Sequence, residues 1–548
     1  MSLSQSSISA GARPGTAPPP WWRDAVTYQV YVPSFADGNA DGLGDLPGIA
    51  ARLPHLRDLG VDALWLTPFY PSPQHDHGYD VADYTDVEPR FGTLADADAL
   101  IERAHRLGLR VVVDLVPNHT SSEHRWFAAA LAAGPGSAER ARYLFRDGRG
   151  PGGTEPPNNW SSVFGGPAWT RVTEADGRPG QWYLHLFDSS QPDLNWRNPE
   201  IAEMFLGVLR FWLDRGVDGF RIDVAHGLVK EESLRDQVLP TGTEPSSDAT
   251  TMIERSLSDE PMWDQPEVHE IYRSWRRLLE EYPGDRMLVA EAWTQTPASL
   301  ARYVRPEEMH QAFNFAWLLA DWSAAAFAEV IRGTLAALSR VAATPTWVLS
   351  NHDVVRHPTR YGGGALGVAR GRAATLAMLA LPGSVYLYQG EELGLEQVEV
   401  PPEARQDPSW LRTRDTDQPD VGRDGCRVPL PWAGTRPSYG FGGEGQPWLP
   451  QPMDWAPLTV EAQTGVATAT LEFYRTALAA RREHARGADP EVLIEDRGPD
   501  VLAFRRGPLR VVLNAGTAPI DLPDGEILIA SDSVTGRRLP PNAAAWLR

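Results

Sequence analysis

Residues 217–227, VDGFRIDVAHG, decide how the fold and the chemistry of this chain are interpreted. The apolar positions predict a buried strand, and Asp223 stands near the C-terminal end of that strand. Arg221 lies two residues earlier, so the period of two along a strand places both charges on one face. An arginine beside a carboxylate favours the ionised carboxylate, which suits a nucleophile or an electrostatic stabiliser. A buried ion pair that only ties the strand to a loop is the alternative.

The segments on either side repeat the pattern of a short apolar strand followed by an amphipathic helix. This alternation predicts parallel strands, and eight strand candidates are enough to close an α/β fold of the (β/α)8 TIM barrel type. The active site of such a barrel lies at the C-terminal ends of its strands. The candidate strands are residues 26–32, 61–67, 109–116, 217–224, 287–293, 312–315, 346–351 and 384–389.

The remaining segments predict two smaller domains around this barrel. Residues 119–192 carry Gly and Pro clusters between the third and fourth strands, which indicates an inserted small domain. Residues 488–548 change to short β-rich runs separated by turns, which predicts a C-terminal antiparallel β domain. The barrel then comprises residues 21–118 and 193–487, and residues 1–20 form a disordered tail.

Composition limits the partners of the protein. The net charge of −21 argues against nucleic acid and anionic membranes, because both attract basic surfaces. The single cysteine, Cys426, excludes an internal disulfide and fits a reducing compartment. The N-terminal residues lack the basic start and apolar core of a secretory signal, and the longest apolar run, residues 373–388, is too interrupted to span a bilayer. We therefore expect a cytoplasmic monomer or homodimer with a small-molecule substrate.

Acidic and histidine side chains follow several of the predicted strands. His119 follows the third strand, Asp223 ends the fourth, Glu291 ends the fifth, and His352 and Asp353 follow the seventh. Each of these residues alone could be structural. Three carboxylates at three strand ends repel one another, however, so holding them together is costly unless they have a use. The pattern favours acid–base chemistry at one barrel mouth.

Four ordered motifs at these strand ends, DLVPNH, GFRIDVA, VAEAW and SNHD, resemble those of glycoside hydrolase family 13, the α-amylase family. QPDLN, residues 191–195, resembles the motif of its oligo-1,6-glucosidase and α-glucosidase branch. The resemblance covers most of residues 21–486. It implies a TIM barrel with an inserted domain after the third strand and an enzyme that needs no cofactor for its chemistry.

By this resemblance, Asp223 is the expected nucleophile, Glu291 the general acid/base, and Asp353 the carboxylate that binds ring hydroxyls. Retaining glycoside hydrolysis needs one ionised and one protonated carboxyl group about 5–5.5 Å apart. We expect Arg221 to keep Asp223 ionised, and the two neighbouring carboxylates to favour protonated Glu291. The residues expected to bind substrate are Tyr79, Asp80, His119, Phe164, Phe187, Arg221, His352 and Arg423.

The resemblance also implies an ion pair that closes the pocket around the non-reducing end of the substrate. Asp80 is the expected carboxylate, with Tyr79 as a stacking face beside it. The arginine comes from the late loop GRDGCRVPLPW, where both Arg423 and Arg427 are candidates and Arg423 is favoured.

The loop DGNADGLGD near the first strand resembles a calcium site, with oxygen-bearing side chains at alternate positions and a glycine for the turn. A turn rich in Asp and Gly without a metal is the alternative. We expect structural Ca²⁺ rather than a catalytic metal. The expected ligands are Asp37, Asn39, Asp41, Asp45 and the backbone carbonyl of Leu43.

These features predict an exo-acting, retaining α-glucosidase that acts on short α-glucosides. A transglucosylase, or an isomerase of sucrose or trehalose type, on the same site is the nearest alternative. A binding subunit without catalysis requires lost carboxylates and a membrane anchor, and the sequence shows neither. Val224, directly after Asp223, is associated in the family with action on α-1,6 bonds, whereas AEAW and the altered late loop favour general α-glucosidases. We expect cleavage of α-1,4 and some α-1,6 bonds.

Overall fold

The computed structural model describes residues 19–238, 260–294, 296–443 and 445–548 of the 548-residue chain. The predicted disordered tail, residues 1–20, lies outside the described residues except for its last two positions.

The strands of the described residues alternate with helices through the first two thirds of the chain and follow one another at the C-terminus. In chain order they are β1 (Val26–Val30), β2 (Ala63–Leu66), β3 (Arg110–Leu115), β4 (Phe145–Arg146), β5 (Trp169–Thr173), β6 (Pro179–Leu184), β7 (Gly219–Ile222), β8 (Met287–Ala290), β9 (Gln311–Asn314), β10 (Thr346–Val348), β11 (Ser384–Tyr388), β12 (Leu493–Glu495), β13 (Val501–Arg506), β14 (Leu509–Asn514), β15 (Ile520–Asp521), β16 (Ile527–Ala530), β17 (Arg538–Leu539) and β18 (Ala543–Leu547).

The longer helices of the described residues are α1 (Leu46–Leu59), α2 (Leu94–Arg106), α3 (Arg125–Ala133), α4 (Pro199–Asp214), α5 (Val268–Leu279), α6 (Ala324–Ser339), α7 (Gly364–Ala380) and α8 (Thr470–Ala480). Shorter helices are Val32–Phe35, Pro297–Tyr303, Phe315–Leu318, His357–Arg360, Pro408–Thr413, Asp424–Arg427 and Val460–Gln463.

Eight strands form a closed barrel in the order β1-β11-β10-β9-β8-β7-β3-β2, and all neighbours pair in parallel. The predicted TIM barrel is therefore confirmed, and each of the eight candidate strands overlaps an observed one. Their residues are buried on both faces, as expected for strands covered by helices outside and packed side chains inside.

The helices begin where the sequence offers side-chain acceptors for free backbone N–H groups. Thr93 and Asp96 form a reciprocal capping box at the start of α2. Asn198 caps α4, and Pro199 follows at the first helical position, where a missing N–H costs nothing. Both helices turn apolar residues toward the barrel, so the strands keep their positions and their C-terminal ends face one mouth.

The segment between β3 and β7 carries the antiparallel sheet β4-β6-β5. Its core contains Trp160, Phe164, Trp169 and Phe187, and this cluster also includes Val224, which follows barrel strand β7. The insertion therefore packs directly on the barrel mouth and supplies one wall of the site.

A five-stranded antiparallel sheet in the order β12-β13-β14-β18-β16 follows the barrel. It packs on helix α7. Across this contact Trp546 Nε1 donates to the carbonyl of Leu376, and Arg506 donates to the carbonyl of Ala380. The predicted C-terminal β domain is confirmed as a fold element, while the residue bounds of the domains stay predictions.

None of the helices in the described ranges combines the length and the apolar character that a membrane crossing requires. The cytoplasmic location and the monomeric or dimeric state stay predictions.

Candidate active site

The barrel mouth holds a pocket that encloses about 630 Å³ when the space open to solvent is included. Asp223 lies one residue beyond β7, and Glu291 one residue beyond β8, so the carboxyl groups of neighbouring strands enter the same space. Nine of the residues predicted from the sequence line this pocket: Tyr79, His119, Phe164, Phe187, Asp223, Glu291, His352, Asp353 and Arg423. Its size and its mixture of aromatic and charged walls suit a small polar ligand.

Arg221 lies behind the pocket floor and contacts three acids with one guanidinium. Its Nη1 donates to Asp114 Oδ1 at 2.8 Å and to Asp223 Oδ1 at 2.6 Å, and its Nη2 lies 2.9 Å from Glu291 Oε2. The ring of Trp65 packs 5.1 Å from the guanidinium carbon and fixes its plane. Arg221 therefore holds the Asp223 and Glu291 carboxyl groups next to each other.

The expectation that Arg221 keeps Asp223 ionised is not met. Burial raises the pKa of Asp223 well above its ordinary value, and the charges of Glu291 and Asp114 raise it further against the opposing effect of Arg221. One guanidinium shared among three acids cannot favour one of them.

Two N–H donors position Glu291. Val224 N donates to Oε2 at 2.9 Å, and Trp293 Nε1 donates to Oε1 at 3.0 Å. Val224 adopts a φ of +46°, a left-handed conformation that is unfavourable for a β-branched side chain. This strained turn lies directly after Asp223, and the N–H of Val224 that enters it contacts the carboxyl group of Glu291. Trp293 is fixed in turn by stacking on Phe315, with ring centroids 3.8 Å apart.

Asp353 is held by two arginines of the late loop. Arg423 Nη1 donates to its Oδ1 at 3.1 Å, and Arg427 Nη2 donates to the same oxygen at 2.9 Å. Burial raises the pKa of Asp353, but His352, Arg423 and Arg427 together outweigh it and hold the pKa below its ordinary value. Asp353 is therefore a permanently ionised acceptor in the pocket wall.

Asp76, and not Asp80, faces Arg423 across the pocket. Arg423 Nη2 donates to Asp76 Oδ1 at 2.7 Å, and Asp76 lines the pocket. Asp80 accepts hydrogen bonds from Ser72 Oγ at 2.9 Å and from the backbone N–H groups of His75 and Asp76 at 2.8 and 3.1 Å. The prediction of Asp80 as the pocket carboxylate is wrong, because its oxygens fold the loop that presents Asp76. The preference for Arg423 over Arg427 as the partner of that loop agrees with the geometry.

The two pocket histidines predicted from the sequence, His119 and His352, are uncharged at neutral pH. Burial lowers the pKa of His119 to about 4 and that of His352 well below its ordinary value. Gln29 Nε2 lies 2.7 Å from His352 Nδ1, and the Tyr79 hydroxyl lies 2.6 Å from His352 Nε2. Both ring nitrogens of His352 therefore have partners within the protein, which fix the orientation of this neutral ring in the pocket wall.

Gln191, the first residue of QPDLN, links the two sides of this wall. Its Nε2 donates to Asp76 Oδ2 at 3.1 Å and lies 3.1 Å from His119 Nε2. Asp193 of the same motif pairs with Lys230 Nζ at 2.6 Å. The motif therefore ties the inserted segment to the barrel.

The family model for the α-amylase catalytic domain matches residues 29–488. The chain belongs to the α-amylase family. A probable α-glucosidase of Rhizobium meliloti is 40% identical over 494 residues, which cover 89% of this chain and 87% of that protein. An oligo-1,6-glucosidase of Parageobacillus thermoglucosidasius is 34% identical, over 85% of this chain and 84% of that protein.

Among solved structures, an α-glucosyl transfer enzyme superimposes with a TM-score of 0.85 and 38% identity, over 97% of this chain and all of that one. Together with the curated relatives, this similarity identifies the protein as a glycoside hydrolase of the α-amylase family. The resemblance seen in the four strand-end motifs is thereby confirmed.

Five further residues line the pocket of this α-amylase family member and were not found from the sequence: Asp76, Val163, His226, Trp263 and Trp293. Trp293 and His226 stand within the quoted motif stretches, so their positions were available as a signal. Asp76 lies four residues from the residue chosen in its place. Trp263 follows a long connection after β7 and carries no local pattern that distinguishes it.

The predicted calcium loop forms a turn in which side-chain oxygens accept from loop N–H groups. Asp37 Oδ1 accepts from Asn39 N and Ala40 N at 3.1 and 2.6 Å, and Asp45 Oδ1 caps α1 through Gly48 N at 2.6 Å. In the described part of the chain, no three Asp, Glu, His or Cys side chains converge as a metal site. Burial raises the pKa of Asp45, and the charges of Asp37 and Asp41 raise it further.

Proposed function

We propose that the protein is an exo-acting, retaining α-glucosidase that releases the non-reducing terminal glucose of short α-glucosides. The observation that carries this proposal is the shared guanidinium of Arg221, 2.6 Å from Asp223 and 2.9 Å from Glu291. Two carboxyl groups on one guanidinium are close enough for one to attack the sugar while the other protonates the leaving oxygen. An inverting enzyme separates them by about 6.5–9.5 Å to admit a water molecule.

Asp223 and Glu291 divide the chemistry between them. In the first step Glu291 gives its proton to the glycosidic oxygen, the bond from that oxygen to the anomeric carbon breaks, and Asp223 bonds to that carbon. In the second step water gives a proton to Glu291 and bonds to the anomeric carbon, and the electron pair of the ester bond returns to Asp223. Glucose leaves with its original anomeric configuration.

The hydrogen bonds around the pair support these two roles. The hydrogen bonds from Val224 N and Trp293 Nε1 keep Glu291 in place for donation. Arg221 is a positioning residue, since it balances the remaining negative charge without facing the substrate.

The charged end of the pocket supports exo action. Asp76, Arg423, Asp353 and Arg427 form a continuous network of ion pairs, from Asp76 to Arg423 at 2.7 Å and from Asp353 to Arg427 at 2.9 Å. A sugar ring that enters this end places its hydroxyls next to Asp353 and Asp76. The ion pairs block a further sugar unit beyond that ring. The terminal glucose is therefore the unit that fits.

Neutral side chains complete the recognition of this glucose. Tyr79 stacks on His352 with ring centroids 5.3 Å apart, and Phe164 and Phe187 form an apolar wall from the inserted segment. His119 and His352 bind ring hydroxyls as neutral groups. Hydrogen bonds to hydroxyls next to the anomeric carbon strengthen at the transition state, where positive charge develops on the ring.

A cation at the loop of residues 37–45 is a further part of the proposal. Asp37, Asp41 and Asp45 place three carboxylates within one turn, and burial, together with the charges of Asp37 and Asp41, raises the pKa of Asp45. Ca²⁺ bound by these side chains, by Asn39 and by the carbonyl of Leu43 relieves the repulsion between them. The loop precedes α1 and lies outside the pocket, so this ion contributes stability rather than chemistry.

The test of the two catalytic roles is a pair of variants with a matched control. Asp223→Ala and Glu291→Gln should each lower kcat for maltose by about 1,000-fold or more while the circular dichroism spectrum stays unchanged. Glu102→Gln, an exposed carboxylate of α2 with a side chain 72% exposed, should keep its rate. A fall of only a few-fold in either active-site variant would contradict the assignment.

Glucosyl transfer is the second candidate function. The wall beside Glu291 is aromatic and neutral, which favours a bound sugar over a lone water molecule at that position. The solved structure of an α-glucosyl transfer enzyme is also among the similar proteins. Transfer and hydrolysis differ only in what attacks the glucosyl ester, so the residues beside Glu291 decide between them.

A further inference from the structure

A glutamine of the first barrel strand, Gln29, lies beneath the wall of the pocket and is 1% exposed. The strand register pairs it with Trp65 of β2, whose side chain belongs to the apolar cluster inside the barrel. A buried amide costs free energy unless its polar atoms have partners, and an apolar side chain would fill this interior position without that cost. A glutamine here therefore indicates a role beyond packing.

The amide of Gln29 contacts the ring of His352 from the barrel side. Gln29 Nε2 lies 2.7 Å from His352 Nδ1. The other ring nitrogen, Nε2, lies on the pocket side, 2.6 Å from the Tyr79 hydroxyl and 3.2 Å from Asp353 Oδ2. Burial holds the pKa of His352 well below its ordinary value, so the ring is neutral. A neutral imidazole has one N–H, so one of its nitrogens donates and the other accepts.

The hydrogen bonds of Tyr79 indicate which ring nitrogen carries the proton. Its hydroxyl donates to Asp114 Oδ2 at 3.1 Å. Trp65 Nε1 donates to the same oxygen at 3.1 Å, and Arg221 Nη1 donates to Asp114 Oδ1 at 2.8 Å. Asp114 therefore accepts on both oxygens, and the Tyr79 oxygen is left to accept a hydrogen bond from His352 Nε2.

The opposite tautomer of His352 is unfavourable on both sides of the ring. A proton on Nδ1 would face the amide hydrogens of Gln29, so that two donors would meet. The lone pair of Nε2 would then face Asp353 Oδ2. Because Arg423 and Arg427 both donate to Asp353 and keep it ionised, that contact would be repulsive.

We propose that Gln29 is a positioning residue that holds His352 as the tautomer with its proton on Nε2, so that the ring donates into the pocket. The donors then run in one direction, from Gln29 to His352 and on to Tyr79. This inference rests on the proposed function, since a donor of fixed direction serves the binding of a sugar hydroxyl. It adds that His352 donates to the substrate rather than accepts, and that a residue without substrate contact is responsible.

A fixed proton on Nε2 makes the pocket wall complementary to a hydroxyl group. His352 Nε2 and Asp353 Oδ2 are 3.2 Å apart, so a donor and an acceptor stand next to each other. A hydroxyl donates through its proton and accepts through its lone pairs, and it can therefore bond to both. With the opposite tautomer two acceptors would stand side by side, and the hydroxyl would leave one of them unpaired.

The direct test is neutron diffraction from crystals exchanged into D₂O, which locates the deuterium on the ring of His352. We expect deuterium on Nε2 and none on Nδ1. Deuterium on Nδ1, alone or together with one on Nε2, would overturn the inference. This measurement needs no turnover, so its failure is distinct from that of the proposed function, which Asp223→Ala and Glu291→Gln test.

Gln29→Met tests the effect on catalysis, because methionine is close to glutamine in size but has no donor. We expect kcat for maltose to fall about tenfold with KM nearly unchanged, since hydrogen bonds to the substrate hydroxyls strengthen at the transition state. Gln311→Met is the matched control. Gln311 is also a buried barrel glutamine, but it bonds to the Trp22 carbonyl and the Tyr386 hydroxyl instead. The control should keep kcat and KM, and equal kcat values for the two variants would contradict the inference.

A double variant tests whether Gln29 acts through His352. In a His352→Ala background the ring on which Gln29 acts is gone, so adding Gln29→Met should cause no further loss of kcat/KM for maltose. A further loss of about tenfold in that background would show that Gln29 acts by another route, and would overturn its role as the positioning residue of His352.

Discussion

The two ends of the pocket differ in how they hold a ligand. The charged end described above, here called the closed end, is a network of ion pairs in which Arg423 contacts both Asp76 and Asp353. The end beside Glu291, the aromatic end, has a neutral wall that is lined by Val224, His226 and Trp263. A charged network satisfied by fixed partners accepts one arrangement of hydroxyls, while a flat aromatic surface tolerates several.

This difference assigns specificity to different parts of the chain. Under the proposed function, we expect the closed end to select the terminal sugar, since each of its carboxylates has a defined partner and orientation. We expect the aromatic end to bind the leaving or accepting group, since stacking on an indole depends little on the pattern of hydroxyls. Changes at the closed end should therefore abolish activity broadly, and changes at the aromatic end should alter ratios between substrates.

The largest effect at the closed end is expected for Asp76→Asn. Loss of the carboxylate leaves Arg423 without one of its ion-pair partners and removes a hydroxyl acceptor, so kcat/KM for maltose should fall about 100-fold. Asp80→Asn is the matched variant. It should lower the melting temperature instead, because a buried acceptor of backbone N–H groups is weakened, and change kcat/KM only a few-fold.

Steady-state kinetics and thermal melting on both variants check this contrast. If Asp80→Asn loses as much activity as Asp76→Asn without losing stability, Asp80 and not Asp76 contacts the substrate.

The dependence of kcat/KM on pH distinguishes titration of Asp76 at the closed end from titration of the catalytic carboxyl groups. Burial raises the pKa of Asp76 to about 6, so its carboxylate is ionised above that pH and protonated below it. The ion pair with Arg423 needs the ionised form. We therefore expect kcat/KM for maltose to fall as pH decreases through about 6, and this limb should be missing in Asp76→Asn. The same limb in the variant would assign it to another group.

Most of the architecture could be predicted from the sequence. Alternating strand and helix patterns identify all eight barrel strands, and the position of acidic residues after apolar runs identifies Asp223, Glu291 and Asp353 as neighbours. Periodicity carries this information because it reflects burial. The choice of Arg423 also agrees with the structure.

Contacts that depend on three-dimensional packing could not be predicted. Asp76 and Asp80 belong to one short loop, and only its fold decides which carboxylate points into the pocket. The contact of Arg221 with both Asp223 and Glu291 depends on the register between β7 and β8. Trp263 reaches His226 from a distant segment, and the left-handed backbone of Val224 has no sign in its residue type.

A smaller effect is expected at the aromatic end for Val224→Ala. Removing methyl groups next to the leaving group changes the difference in transition-state free energy between the two linkages by about 1–3 kcal/mol at most. The ratio of kcat/KM for maltose to that for isomaltose should rise, because the family associates valine here with α-1,6 bonds. Parallel assays with both disaccharides check it. An unchanged ratio would show that the inserted segment or the late loop distinguishes the linkage.

The smallest effect on activity is expected for removal of Ca²⁺. The loop of residues 37–45 belongs to neither end of the pocket, so chelation should lower the melting temperature while the initial rate of maltose hydrolysis stays nearly constant. Re-addition of Ca²⁺ should restore the melting temperature. A melting curve that does not respond after metal removal has been verified by elemental analysis would contradict a bound ion.

The attack of Asp223 on the anomeric carbon is the central claim, and trapping of the glucosyl ester tests it most directly. A slow substrate such as 5-fluoro-α-glucosyl fluoride should leave its sugar on the protein, and trypsin then releases residues 222–230, IDVAHGLVK, between Arg221 and Lys230. Asp223 is the one side-chain carboxylate in that peptide. Mass spectrometry should find the added sugar on this peptide. A label on the peptide that carries Glu291, residues 287–302, or an unlabelled protein that turns over the substrate, would contradict the account.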